Sequence, residues 1–225
     1  MKISDNCYVA VFDKIVIALD IRRTKYFLYD GKFSALISSI FIDGESQEND
    51  QLIDQLVFDE VISLSGRTGK NSNVSDFRGI RFCRFDAGRW SSRNLSCSPG
   101  EKLSVQALIR LAASAFLLRL SGANCIRRLR PIAMPCTTGI AQAISSRTAD
   151  RYHKAALWCP LKITCIQMSL AIARDLRKHG CPAQIVIGVR PHPFVAHAWV
   201  EVGGHIYGDE QDLNSCYAVI YKSPI

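Results

Sequence analysis

The sequence predicts an α+β fold in two parts, and three observations carry that prediction. Short runs rich in β-branched and aromatic residues crowd the first thirty positions, helical spacing with clear start and stop signals recurs further along, and two adjacent strand-like runs lie near the C-terminus. The charge divides along the same lines. Residues 1–64 carry 6 basic and 11 acidic side chains, residues 65–150 carry 14 and 4, and residues 151–225 carry 8 and 5. The shift near residue 65 gives a small module over residues 1–64, a linker over 65–79 and a larger domain over 80–225.

In the first module, Cys7–Phe12, Lys14–Ile21 and Lys25–Asp30 read as strands, with Asp30-Gly31 ending the third. Phe33 to Ile42 has helical spacing, with Phe33, Leu36, Ile37 and Ile40 on one face. Asp50 to Leu64 reads as a second helix, bringing Leu52, Ile53, Leu56, Val57 and Val61 together. Three strands and two helices in this span fit a small winged-helix-like module. Its net negative charge repels phosphates, so no nucleic-acid partner is expected. The basic middle of the chain, densest at Arg127, Arg128 and Arg130, reads as a solvated face or a docking surface for an acidic partner.

Ser65–Ser75 is loop by composition. Its Gly69-Lys70 pair is not a phosphate loop, because Leu64 stands where glycine is required and Asn71 where serine or threonine is. Ser98-Pro99-Gly100-Glu101 reads as a helix start, with Ser98 as cap and the helix running to about Leu120 before Gly122. This helix is apolar nearly all round and is expected to be buried. Arg110 and Arg119 interrupt it too often for a membrane span. Residues 123–158 give no clear pattern. The nine cysteines are odd in number and contain no CxxC pair, which argues against a disulfide framework or a structural zinc site. No secretory signal is visible, so the expectation is a reduced, cytoplasmic protein without a cofactor.

One cysteine stands apart by position. Thr164 and Gln167 form a capping box around Cys165, and Ile166, Leu170, Ala173 and Leu176 make the buried stripe of the helix that follows. Arg177, Lys178 and His179 suit its negative end, and Gly180 and Pro182 stop it. A first-turn cysteine sits among unpaired amides at the positive helix end, which stabilises a thiolate. Gln184–Arg190 and Phe194–Val202 read as strands around a Pro191-His192-Pro193 turn. Alternation sets His197, Trp199 and Glu201 on one face of the second strand. His205–Gly208 returns toward Asp209 after Gly203-Gly204. A lone cysteine or strand histidine is most often structural. The order of helix-start cysteine, strand histidine and next-strand aspartate is the one in which cysteine proteases and transglutaminase-like enzymes place nucleophile, base and orienting carboxylate.

The run Ala183–Val202 (AQIVIGVRPHPFVAHAWVEV), with Gly203-Gly204 and Asp209, closely resembles the lasso-peptide leader peptidases, the "B" maturation proteins of the microcin and capistruin type. The likeness is dense over residues 158–209 and takes in the Cys165 helix. It implies a papain/transglutaminase-like cysteine protease domain with the nucleophile at a helix N-terminus packed on an antiparallel sheet. It also implies Cys165 as nucleophile, His197 as base and Asp209 as orienter. The N-terminal third resembles the fused leader-recognition module of some of these proteins. There a precursor's leader would add a strand beside Lys25, Tyr26, Phe27, Leu28 and Tyr29. The partners implied are the precursor peptide and an ATP-using, asparagine-synthetase-like cyclase that closes the macrolactam. Two other readings keep to the same residues: acyl transfer to an amine, and a degenerate site that only presents precursor.

The triad makes a geometric demand. A plain two-residue loop at Gly203-Gly204 would set Asp209 opposite Ala198, on the face away from His197. An odd-length turn or a β-bulge between residues 202 and 209 is therefore expected, with Gly203, Gly204 or Gly208 at positive φ. If Asp209 instead stays in solvent, Glu201 and Asp212 are the alternative orienters.

Overall fold

A computed structural model describes residues 1–44, 50–64, 73–80, 82, 103–122, 124–127, 129 and 138–225. The chain divides into two compact units, one of Met1–Phe82, Val189–Val195 and Ala218–Ile220, the other of Cys83–Gly188, Ala196–Tyr217 and Tyr221–Ile225. Among the described residues no helix is long and apolar enough to cross a membrane.

The first unit is built on a four-stranded sheet. A short β1 (Lys2–Ile3) is followed by β2 (Cys7–Val11), β3 (Ile15–Asp20) and β4 (Lys25–Asp30), then α1 (Gly31–Ser38), a π-helical turn over Ser39–Asp43, α2 (Asp50–Phe58), β5 (Ile62–Ser63) and β6 (Val74–Asp76). The sheet order is β4-β3-β2-β6, with β2 antiparallel to β3, β3 antiparallel to β4 and β6 parallel to β2. Asp20 shapes the β3–β4 hairpin, its carboxylate accepting from the amides of Arg22 at 2.8 Å and Arg23 at 3.1 Å. Asp30 caps α1 through the amide of Lys32. Val9, Val11, Val16, Ala18, Leu36, Ile37, Phe41 and Leu56 meet in one core.

Local expectations differ from this at three places. The helix expected to reach Leu64 ends at Phe58, and Ile62–Ser63 instead pairs with β1. The helix expected over Phe33–Ile42 begins two residues earlier and loosens into the π-helical turn before Gly44, which has φ +77°. Val74 and Ser75, expected as loop, pair with Val9 and Ala10 in β6, where the parallel ladder to β2 outweighs their polar setting in sequence.

The rest of the described chain has α3 (Val105–Ser121), α4 (Asn124–Arg127), α5 (Thr138–Trp158), α6 (Cys165–Lys178), β7 (Ala183–Arg190), β8 (Val195–Val202), β9 (His205–Tyr207), α7 (Leu213–Cys216) and β10 (Ala218–Lys222), of which Val189–Arg190, Val195 and Ala218–Ile220 count with the first unit. These strands form a sheet in the order β10-β7-β8-β9. Helices α3, α5 and α6 pack on one another. The expected start at Ser98–Glu101 lies outside the described residues, and α3 is capped by Ser104, whose hydroxyl accepts from the Ala107 amide at 3.2 Å. Full burial of α3 is not found. Ala107, Leu111, Ser114 and Ala115 are buried, whereas Val105, Ile109, Phe116 and Leu120 are exposed among the described residues. The helix buries a narrow face of three small side chains around Leu111. Residues 138–158, unread in the sequence, are α5. Its buried positions are Ala141, Ser145, Thr148, Ala149, Tyr152, His153 and Ala155, a helical stripe without the Leu, Ile or Val that would announce it.

Candidate active site

Cys165 is the first residue of α6. Thr164 is the N-cap in extended conformation, and the capping box with Gln167 is present, the Thr164 amide donating to Gln167 Oε1 at 2.9 Å. At the other end Gly180 takes φ +77°, and its amide and that of Cys181 close the last turn on Arg177 and Leu176. One turn below the nucleophile candidate, the buried Ser169 hydroxyl donates to the Ala198 carbonyl at 3.0 Å. Cys165 and Ser169 are four apart and share a helix face, so this bond fixes the height of the sulfur beside residues 197 and 198. Ser169 carries no signal in the sequence beyond that spacing.

The His197 ring lies between two partners. Its Nε2 is 2.6 Å from Asp209 Oδ2, and Cys165 is the other group that acts on its titration. The other Asp209 oxygen accepts from the Glu210 amide at 3.0 Å. The rings of Trp199 and Tyr217 lie 6.1 and 5.8 Å from the imidazole, centre to centre. Burial pushes the Cys165 thiol up, but its hydrogen bond to His197, the imidazolium charge and the amides of Ala198 and Ile166 outweigh this and hold it below its ordinary value. Burial pushes His197 down, and the bonds to Asp209 and Cys165 reverse that and raise it to about 9. Both shifts favour a thiolate–imidazolium pair at neutral pH.

Asp209 arrives by a route other than the expected one. The β8–β9 register pairs Val202 with His205 and Val200 with Tyr207, a two-residue loop with Gly203 at φ +58° and Gly204 at φ +83°. Neither an odd-length turn nor a bulge occurs in this ladder. Instead the ladder ends at Tyr207, and Gly208 at φ +75° takes the chain out of strand geometry. Asp209 is thereby freed from the strand alternation that would point it away from His197.

Glu201 is not an orienter. It is buried, and its carboxylate accepts from Trp199 Nε1 at 3.0 Å, Asn214 Nδ2 at 3.2 Å and Lys222 Nζ at 2.7 Å. Burial raises its pKa, and the Lys222 bond together with those of Trp199 and Asn214 brings it below the usual carboxylate value. Asp212 is the residue before α7. Glu201 anchors the Trp199 indole, which is 1% exposed. Gly188 makes room for that ring. A β-carbon there would stand 2.7 Å from Trp199 Cη2 and 2.7 Å from Tyr217 Cβ. Among the described residues no group of three or more His, Cys, Asp or Glu side chains could hold a metal ion.

In the first unit, the residues expected to bind a leader lie on β4, the edge of its sheet among the described residues. Lys25 and Leu28 are exposed, Tyr26 and Phe27 half-buried, and Tyr29 buried with its hydroxyl donating to Asp59 at 2.7 Å.

Residues 107–222, just over half of the chain, match the family model of the transglutaminase-like superfamily. The chain belongs to that superfamily. A mixed α+β architecture and a helix-start cysteine beside a strand histidine accord with that membership. A 59-residue stretch is 41% identical to the microcin J25-processing protein McjB of Escherichia coli. The match takes in 26% of this chain and 28% of that relative's length. No solved structure is significantly similar to the chain.

Proposed function

We propose that this chain is a cysteine endopeptidase that removes the leader from a ribosomally made precursor during lasso-peptide maturation. The observation that carries the reading is the His197–Asp209 pair acting on the titration of Cys165, the first residue of α6. The local likeness to a microcin-processing protein supports the substrate class. Cys165 is the nucleophile, His197 the base and Asp209 the orienter. The thiolate attacks the carbonyl at the leader–core junction. The first-turn amides of α6, which have no partner within the helix, are suited to the developing oxyanion. The imidazolium gives its proton to the departing core amine, leaving a thioester on Cys165. His197 then takes a proton from water, which hydrolyses the thioester and releases the leader as an acid. The freed core amine is the group a partner cyclase of the asparagine-synthetase-like, ATP-using class would join to a side-chain carboxylate.

Residues 1–64 serve in this reading as a winged-helix-like recognition module, joined through 65–79 to the catalytic domain over 80–225, with β6 of the joining stretch returning to the module's sheet. The leader adds a strand beside Lys25–Tyr29, and tethering it raises the effective concentration of the scissile bond. The test is a purified protein, a candidate lasso precursor and mass spectrometry. Cleavage at one junction is expected from the parent and none from Cys165→Ala. Cleavage retained by Cys165→Ala would discard the mechanism, and a labelled amine found on the leader's new C-terminus would replace hydrolysis by acyl transfer.

A further inference from the structure

Gly208 is the point at which Asp209 is brought to His197, yet nothing in strand geometry forces the chain to turn there. Continuing β9 by two residues in the observed register would carry Asp209 to a position opposite Ala198, on the wrong face. Something outside the hairpin must favour the turned path. Helix α5 packs against β9. A β-carbon on Gly208 would lie 3.1 Å from His153 Nε2, 3.2 Å from His153 Cε1 and 3.2 Å from the Ala149 methyl. The His153 ring is 5% exposed. The ring edge thus packs directly against the Gly208 backbone, and Asp209 and Asp150 are the charged groups that act on the ring. A buried imidazole is expensive to desolvate where a leucine would fill the same helical stripe, so its presence calls for a polar partner. Burial dominates the ring's own titration and lowers it, with Asp209, Asp150 and the Gly208 backbone opposing. This direction disfavours the charged ring, so the imidazole can pack against the turn without competing for the Asp209 charge.

We propose that His153 is a positioning residue that braces the Gly208 turn from α5 and so keeps the Asp209 carboxylate on His197. The inference rests on the reading of Cys165, His197 and Asp209 as a working triad. His153 touches no reacting atom and acts only through the turn.

The experiment is a nuclear magnetic resonance titration of the histidine rings in the full chain, with His197 and His153 assigned by substitution. Asp209→Asn is the control for the triad reading: if it leaves the His197 midpoint near 9, that reading fails. With the control satisfied, His153→Leu, shown to be folded by circular dichroism, is expected to lower the His197 midpoint toward its Asp209→Asn value. It is also expected to reduce kcat with KM little changed. His153→Gln, whose amide reaches about as far as Nε2, is expected to restore most of both. Combining His153→Leu with Asp209→Asn should lower the midpoint no further than Asp209→Asn alone. A folded His153→Leu with its His197 midpoint unmoved overturns the proposal. Should His153→Leu fail to fold, the Asp209→Asn protein decides by itself. Its His153 midpoint must fall when the neighbouring charge is removed, and a His153 midpoint that stays put shows that the ring does not sense Asp209.

Discussion

Replacing Asp209 by asparagine removes a charge and keeps the shape. His197 stands at about 9 against an ordinary value near 6.5. That net rise amounts to about 3 kcal/mol of preference for the imidazolium, and it survives burial, which acts the other way. Asp209 and the Cys165 thiolate share it. A hydrogen bond to a charged group contributes about 1.5–3 kcal/mol and a neutral one about 0.5–1.5, so the asparagine variant should lose roughly 1–2 kcal/mol, on the order of one pKa unit. The alkaline titration of the pair is expected to fall from about 9 to roughly 8. The sign follows from linkage. A raised histidine stabilises the fold fully below its unfolded value and stops doing so as pH rises through its folded value. The parent's advantage in thermal stability over the variant should therefore shrink as pH climbs through about 9. The assay is the ring titration of His197 together with melting curves at several pH values. A midpoint that does not move would refute the claim that Asp209 holds the imidazolium. A stability difference that grows above pH 9 would refute the sign.

Two further perturbations follow from packing and from hydrogen-bond direction. Gly188→Ala puts a methyl within 2.7 Å of both the Trp199 ring and Tyr217 Cβ, and overpacking of this kind costs about 1–3 kcal/mol. A fall in Tm of roughly 2–4 °C per kcal/mol is expected, and an unchanged melting curve would mean the indole is not held where Glu201 anchors it. In β4 the choice of residue matters. Phe12 and Ile15 are bonded at the end of the β2–β3 ladder, and Ile21 donates to Asn6, so Val16, Ala18 and Asp20 face β4. Their partners Tyr29, Phe27 and Lys25 are tied to β3, and the backbone of Tyr26 and Leu28 faces the open edge. Leu28→Pro should weaken leader binding by calorimetry while circular dichroism stays native, whereas Phe27→Pro should damage the sheet. Equal binding by Leu28→Pro and the parent would remove the edge of β4 as the leader site.

The features legible in the sequence are those set within a few residues. The capping box at Thr164 and Gln167, the glycine stop at Gly180 and the alternation along β8 are short-range patterns, and the helix and the strand lie where they indicate. Strands β2, β3 and β4 of the first unit are legible for the same reason, since β-branched and aromatic runs between turn residues need no knowledge of the partner. Helix α5 was not legible, because Ser145, Thr148 and His153 are buried through neighbours that the sequence does not name. Only the tertiary structure decided how Asp209 reaches His197. The sequence shows three glycines able to take positive φ. Which of them redirects the chain depends on where the β9 ladder ends and on what α5 presses against Gly208. It also decided that Glu201, on the same strand face as His197, serves Trp199 and Lys222 instead. Periodicity assigns a side chain to a face, but its partner there is chosen by groups far along the chain that arrive at the same place, and a buried carboxylate keeps its charge only where they satisfy it.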